Sequence, residues 1–175
     1  MTGSVREPSD DHVIAVMSDS HDDVACVDSA AAMLVDAGVR RVIHCGDIAS
    51  PVVVERLAGF RVEWVLGNCD SDPEGLAVAV RAIPGHALHG WRVVLKVGDL
   101  TIGATHGHRP GEFAELRRAG CDWIVHGHSH QVRDDALDGV RFLNPGALHR
   151  ARPCTMMLAE PRSRRVRWTE VPRSS

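Results

Sequence analysis

Val13, Ile14, Ala15, Val16 and Met17 form an unbroken apolar run, the pattern of a strand buried on both faces. It stops at Ser18-Asp19-Ser20-His21. Apolar residues then recur at Val24, Val27, Ala31, Leu34 and Val35, a helical spacing. It predicts a helix over 24–37, with Asp22 or Asp23 to cap its start and Gly38 to end it. The cycle then repeats. Residues 39–44 read as a second strand that delivers Cys45-Gly46-Asp47, and Ser50-Pro51 opens a helix ending near Gly59. Residues 61–66 read as a third strand, leading to Gly67-Asn68-Cys69-Asp70 and a short helix over 73–81. Successive strand–helix units predict a parallel sheet with right-handed crossovers.

The pattern changes further on. Residues 83–90 read as loop and edge, and residues 91–97 and 100–105 read as a hairpin about Gly98-Asp99. Its second strand runs into His106-Gly107-His108. A helix over 111–119 and a strand at 123–125 come next, followed by Gly127-His128-Ser129-His130. Short strands at 131–133, 140–143, 155–160 and 166–171 close the chain, with Asn144-Pro145-Gly146 between two of them. Early parallel units and late antiparallel strands predict two sheets packed face to face with helices outside. One domain is expected over residues 12–171, preceded by a flexible segment over 1–11.

Composition narrows the function without naming it. The chain has 175 residues, 44% of them apolar and 25% charged, with net charge -3. That excludes the basic footprint of a nucleic-acid binder, apart from Arg162, Arg164, Arg165 and Arg167 near the end. No apolar run has membrane length, and five irregularly spaced cysteines argue against a disulfide framework, so a cytoplasmic protein is expected. Eleven histidines stand out, seven of them between His86 and His130.

Each motif just quoted follows its own predicted strand. In parallel sheets the ligand site forms beyond the carboxyl ends of the strands. That gathers Asp19, His21, Asp47, Asn68, His106, His128 and His130 as candidate metal ligands. The mixture of oxygen and imidazole donors suits Mn, Fe, Zn, Co or Ni better than magnesium. Two such ions roughly 3.5–4 Å apart activate a bridging hydroxide and bind phosphoryl oxygens. Asp47 stands alone at the central strand end, which makes it the candidate bridge. His44 and His126 end their strands and read as packed histidines, while His12, His86, His89 and His149 read as surface or rim. The four tryptophans fall on predicted strands and read as core or interface anchors.

The series Asp19-x-His21, Gly46-Asp47, Gly67-Asn68-Cys69-Asp70, His106-Gly107-His108 and Gly127-His128-Ser129-His130 resembles the calcineurin-like metallophosphoesterase superfamily. Within it, the chain is similar to the small single-domain phosphodiesterases of the YfcE/MJ0936 type. The resemblance implies an α/β fold, a four-layer α/β/β/α sandwich of two mixed sheets with flanking helices. It implies a binuclear site that prefers manganese or nickel, with one metal on Asp19, His21, Asp47 and His130. The other would lie on Asp47, Asn68, His106 and His128, and His108 would lie near the phosphate. Cys69 stands where many larger members carry a histidine that helps the leaving group depart.

The reaction implied is hydrolysis of a small phosphodiester by a metal-bridging hydroxide, with Asp47, Asn68 and His108 as catalytic residues. Two alternatives stand beside it: a phosphomonoesterase or nuclease on short oligonucleotides, and a non-catalytic metal-binding scaffold for protein partners. The edge of the 91–105 hairpin suggests a homodimer or homotetramer.

Overall fold

The computed structural model describes residues 13–173. The segment 1–11, expected to be flexible, and His12 lie outside the described residues. The first half runs β1 (Ile14–Met17), α1 (Val24–Asp36), β2 (Arg41–His44), α2 (Pro51–Arg56), β3 (Arg61–Trp64), α3 (Pro73–Ala82) and β4 (His86–Leu88). The second half runs β5 (Arg92–Val97), β6 (Leu100–Thr105), α4 (Pro110–Arg118), β7 (Trp123–Val125), β8 (Val132–Leu137), β9 (Val140–Pro145), β10 (Cys154–Glu160) and β11 (Arg165–Val171).

Two mixed sheets result. The first has the order β11-β10-β1-β2-β3-β4, with β1 to β4 parallel and β10 and β11 antiparallel. The second has the order β5-β6-β7-β9-β8, with β6, β7 and β9 parallel between antiparallel edges. Strand β1 shows why the chain layers as it does. Its alternate residues Ile14 and Val16 face the second sheet, packing with Ile43, Leu100, Ile102, Val125 and Leu143. Ala15 and Met17 face the other way, against Cys26, Val27, Ala30 and Leu34 of α1, with Val53 of α2 and Leu76 of α3 in the same cluster. A strand buried on both faces must be apolar throughout, and fully burying a side chain of that size contributes about 1.5–3 kcal/mol. Leu116 of α4 packs outside the second sheet on Ile124 and Phe142. The layers are therefore helices, sheet, sheet, helix.

The helix starts follow local chemistry. Asp23 caps α1 by accepting from the Cys26 amide, and Asp72 caps α3 by accepting from Gly75. Prolines open α2, α3 and α4, where a missing N–H costs nothing.

Two elements differ from the sequence reading. Strand β8 extends to Leu137 and pairs with β9 through its whole length, although every one of its residues is exposed. An edge strand wet on both faces carries no apolar alternation, so the pattern shows only its start. Residues 86–88, read as loop and edge, form a short half-buried strand beside β3.

Candidate metal centre

Strands β1, β2 and β3 end at one edge of the first sheet, and β6 and β7 end at the facing edge of the second. The backbone turns sharply as it leaves them. Asp19 (φ 56°), His21 (42°), Asp47 (54°), His128 (70°) and His130 (56°) all adopt left-handed conformations. Such residues cost energy outside glycine and cluster where function over-determines the backbone. Hydrogen bonds hold the turns: the Asp19 amide donates to Gly46 and the His21 amide to Asp47, each at 3.0 Å. Five of the seven predicted ligands sit on strained turns.

The side chains converge. Asp19 Oδ1 lies 3.1 Å from His130 Nε2, 3.9 Å from His21 Nε2 and 4.0 Å from His106 Nε2. Asp47 Oδ2 lies 3.4 Å from both His21 Nε2 and His106 Nε2. Asn68 Oδ1 is 3.1 Å from His106 Nε2. Each carboxylate spends its other oxygen on backbone, Asp19 Oδ2 on the His128 amide and Asp47 Oδ1 on the Cys69 amide. His106 Nδ1 meets the Cys45 carbonyl at 2.8 Å, which requires its proton there and leaves the Nε2 lone pair free to ligate a metal in the neutral ring.

These atoms make poor hydrogen-bond partners for one another. Asp19 Oδ1 is buried and has no hydrogen bond, despite the nearby His130 nitrogen. Asp19, Asp47 and His106 offer ligand atoms within 4.8 Å of one another, as do Asp19, His21 and His130. Two buried carboxylates so close repel, and an orphaned carboxylate oxygen costs energy. Divalent cations remove both costs, so the donor set fits them.

The pKa directions carry the same message. Burial works against ionisation of Asp47, but the hydrogen bonds from His106 and the Cys69 amide hold it well below the usual carboxylate range. Burial likewise disfavours charge on His106, yet the Asp47 contact and the Asp19 charge raise its pKa above the ordinary value. That pull on a proton is what a metal would exploit. His21 is lowered by burial, which the carboxylates offset only in part. His108 is lowered by burial and by the neighbouring His106 and His128. Burial and Asp47 push Cys69 up to about 11, so it stays a thiol at neutral pH.

Not every predicted residue meets the cluster in the same way. His128 contributes its backbone amide to Asp19, while its ring sits 5.1 Å from His106, and its nitrogens complete no close ligand group among the described residues. His108 lies beside both, with ring centres 5.3 Å from His106 and 6.1 Å from His128, and its buried Nδ1 has no partner. Cys69 Sγ forms a further close group with His21 and Asp47.

Sequence reasoning passed over the supports. Asp70 accepts the amides of Asp47, Ile48, Ala49 and Gly67 at 2.7–3.1 Å, fixing two motif turns at once. Its place in Gly67-Asn68-Cys69-Asp70 was the available signal. Asn144, fully buried, donates to the Gly127 carbonyl and Ser129 Oγ and so braces the second-sheet turn. His149 packs its ring 5.4 Å from His21 and meets Asp23. Gly67 and Gly127 are required by close approach, because a Cβ would collide with Asp47 at the first and with Ser18 at the second. His44 and His126 are packed: His44 pairs with Ser20 Oγ, and His126 lies by the Gly127 carbonyl and Asn144. Trp91, read as a core or interface anchor, is 39% exposed at the rim beside His108.

A fold of this layering with this ligand edge defines a class. The chain matches the model of the Calcineurin-like phosphoesterase superfamily domain over residues 13–164 and belongs to that family, in its small MJ0936-type branch. It is 28% identical over 136 residues to phosphodiesterase MJ0936 of Methanocaldococcus jannaschii, covering 76% of this chain and 82% of that protein. A solved structure described as a novel archaeal phosphodiesterase superposes with TM-score 0.82 at 24% identity, over 90% of this chain and 99% of that one. Vps29 of Entamoeba histolytica, solved in complex with Zn²⁺, shares the fold at TM-score 0.64 and 19% identity, over 91% and 99% of the two chains.

Proposed function

We propose that the chain is a metal-dependent phosphodiesterase acting on small diesters with two divalent ions, manganese first among the candidates. One observation carries the reading: the buried, unpartnered Asp19 Oδ1 faces the Nε2 atoms of His130, His21 and His106, with Asp47 Oδ2 beside them. Asp19, His21, Asp47 and His130 would hold one ion, and Asp47, Asn68, His106 and His128 the other, with Asp47 shared. When bound, the ions supply an activated water and stabilise charge on the phosphoryl oxygens.

The chain's own residues do the rest. The Cys45 carbonyl keeps the His106 proton on Nδ1, so the Nε2 lone pair stays free for the metal. Asn68 adds an oxygen without a further negative charge, which leaves the centre electrophilic. His108, its pKa lowered by burial and by the neighbouring His106 and His128, would lie near the phosphate. Cys69 offers no positive charge to a leaving oxygen, so good leaving groups should react faster than alkyl ones.

The test is hydrolysis of bis(p-nitrophenyl) phosphate by metal-stripped protein before and after Mn²⁺ is restored, with Asp47→Asn in parallel. Turnover that requires the metal and falls roughly 10³-fold in the mutant is expected. Metal binding without turnover would favour the second reading, a metal-holding scaffold for protein partners, which the likeness to Vps29 keeps in view. A phosphomonoesterase or an enzyme for short oligonucleotides shares the site and differs at its rim. Cytoplasmic location and a homodimer or homotetramer through the β5 edge belong to the same proposal. No helix among the described residues is long and apolar enough to cross a membrane, and light scattering decides the assembly.

A further inference from the structure

Resting on the phosphodiesterase reading, we propose that Trp91 and Arg109 form a stacking platform that selects diesters carrying a nucleobase or other aromatic ring on the retained arm, the one that does not leave. Among the described residues Trp91 is the one aromatic side chain in the set of large exposed hydrophobics, the others being Val35, Val78, Val94, Val132 and Leu137. It belongs to none of the three apolar clusters of the core. The indole, 39% exposed, packs on His108 and Arg109 at the rim and not in a core.

Its position is built. Thr105 Oγ1 donates to the Trp91 carbonyl at 3.0 Å, and Thr105 immediately precedes His106. The preceding Gly90 carbonyl accepts from the Leu66 amide at 2.6 Å, which ties the segment to the strand end leading to Asn68. Both anchors of Trp91 are thus the roots of candidate ligands. The ring meets His108 edge-on with centroids 5.5 Å apart, and His108 lies 5.3 Å from His106. Two ring-to-ring steps lead from the candidate metal centre to the indole.

Arg109 completes the surface. Its guanidinium carbon lies 4.9 Å from the centre of the Trp91 ring, a cation–π stack. Its Nε is 3.8 Å from Glu112, and Glu112 is itself held at 2.6 Å by Arg92. The charge of Arg109 is therefore partly committed to a carboxylate, and what the pair offers a ligand is a flat indole–guanidinium face. Aromatic rings and guanidinium planes are the surfaces on which nucleobases stack, at about 1–3 kcal/mol per base. A phosphate at the metal centre and an aromatic arm over Trp91 would engage together, and an alkyl arm would lose the second contact.

The experiment holds the leaving group constant and varies the retained arm. Mn²⁺-loaded protein is assayed with thymidine 5′-(p-nitrophenyl) phosphate and with ethyl p-nitrophenyl phosphate, and the ratio of their kcat/KM values is read. Trp91→Ala should lower that ratio about 10-fold, Arg109→Ala should lower it less, and Trp91→Phe should keep most of it. A ratio unmoved by Trp91→Ala would overturn the platform while leaving the phosphodiesterase reading intact. Calorimetric titration with AMP and with ribose 5-phosphate supplies a readout free of turnover. AMP should bind about 10-fold more tightly than ribose 5-phosphate in the unmodified protein, and the gap should close in Trp91→Ala. Equal binding of the two overturns the proposal, whereas a gap in a protein that hydrolyses neither ester upholds the platform and removes the catalytic reading.

Discussion

The two sheets supply opposite halves of the centre and hold them by opposite means. The first sheet brings the carboxylates Asp19 and Asp47, the amide Asn68 and one imidazole, His21, and its charges are clamped by backbone N–H donors. The second brings His106, His108, His128 and His130, positioned by a carbonyl, by Asn144 and by one another's rings. Moreover, the anchors cross. Asp19 of the first sheet is gripped by the His128 amide of the second, and His106 of the second by the Cys45 carbonyl of the first. Like charges held within 4.8 Å need rigid donors, because nothing else keeps them from separating. Imidazoles do not repel when neutral and tolerate looser support. The difference predicts a rigid acidic half and a more adaptable basic half.

The largest effect should come from cutting the rigid half. Asp70→Ala leaves four backbone donors without their acceptor and should cost roughly 3–5 kcal/mol, read as a fall of about 10 °C or more in melting temperature. A loss below about 1 kcal/mol would mean the acidic half is not held as described. Cutting the adaptable half should act on metal more than on folding. Asn144→Ala releases the Gly127–His130 turn, and a metal titration should show affinity lowered roughly 10–100-fold. Unchanged affinity would remove Asn144 from the comparison.

The smallest effect concerns pH. His44, at the root of the first-sheet half, is fully buried against Ser20 and Trp64, and burial drives its pKa down to about 3. Its folded pKa is below the unfolded value, so between about pH 6.5 and 3 the unfolded chain binds the proton and the folded one does not. The stability tied to its neutral form is therefore complete above the unfolded pKa and is lost as pH falls. His44→Gln should flatten the fall in melting temperature between pH 6.5 and 4.5 by roughly 5 °C relative to the unmodified protein. Parallel curves would show that His44 already shares its burial with water.

How much could be read from sequence depended on which contacts a feature needs. Strand β1 was legible because burial on both faces leaves only apolar residues, β2 was legible from its apolar centre Val42-Ile43, and the ligands were legible because each follows a predicted strand. Strand β8 was not, since its six exposed residues repeat nothing. Asp19, Asp47 and His106 announce themselves by chemistry and spacing. Asp70 and Asn144 act through turns far from them in sequence, and only the folded chain brings those turns within reach. Trp91 read as a core or interface anchor because the pattern makes it the first residue of a strand; it stands one residue before β5, at the mouth of the site.

The order β11-β10-β1 sets a timetable for biogenesis. On a ribosome β1 emerges early, and β2 can cover one of its edges soon afterwards. The other edge pairs with β10, in the register Ile14 with Ala159 and Val16 with Met157, and β10 is made only near the far end of the described residues. Until then the nascent chain presents an apolar strand with open amides, a template for pairing with other chains. Completion of the first sheet, and with it the setting that holds Asp19, therefore waits for synthesis of residues 154–171. A stalled or truncated chain lacking them would expose β1, making it a substrate for chaperones and proteases.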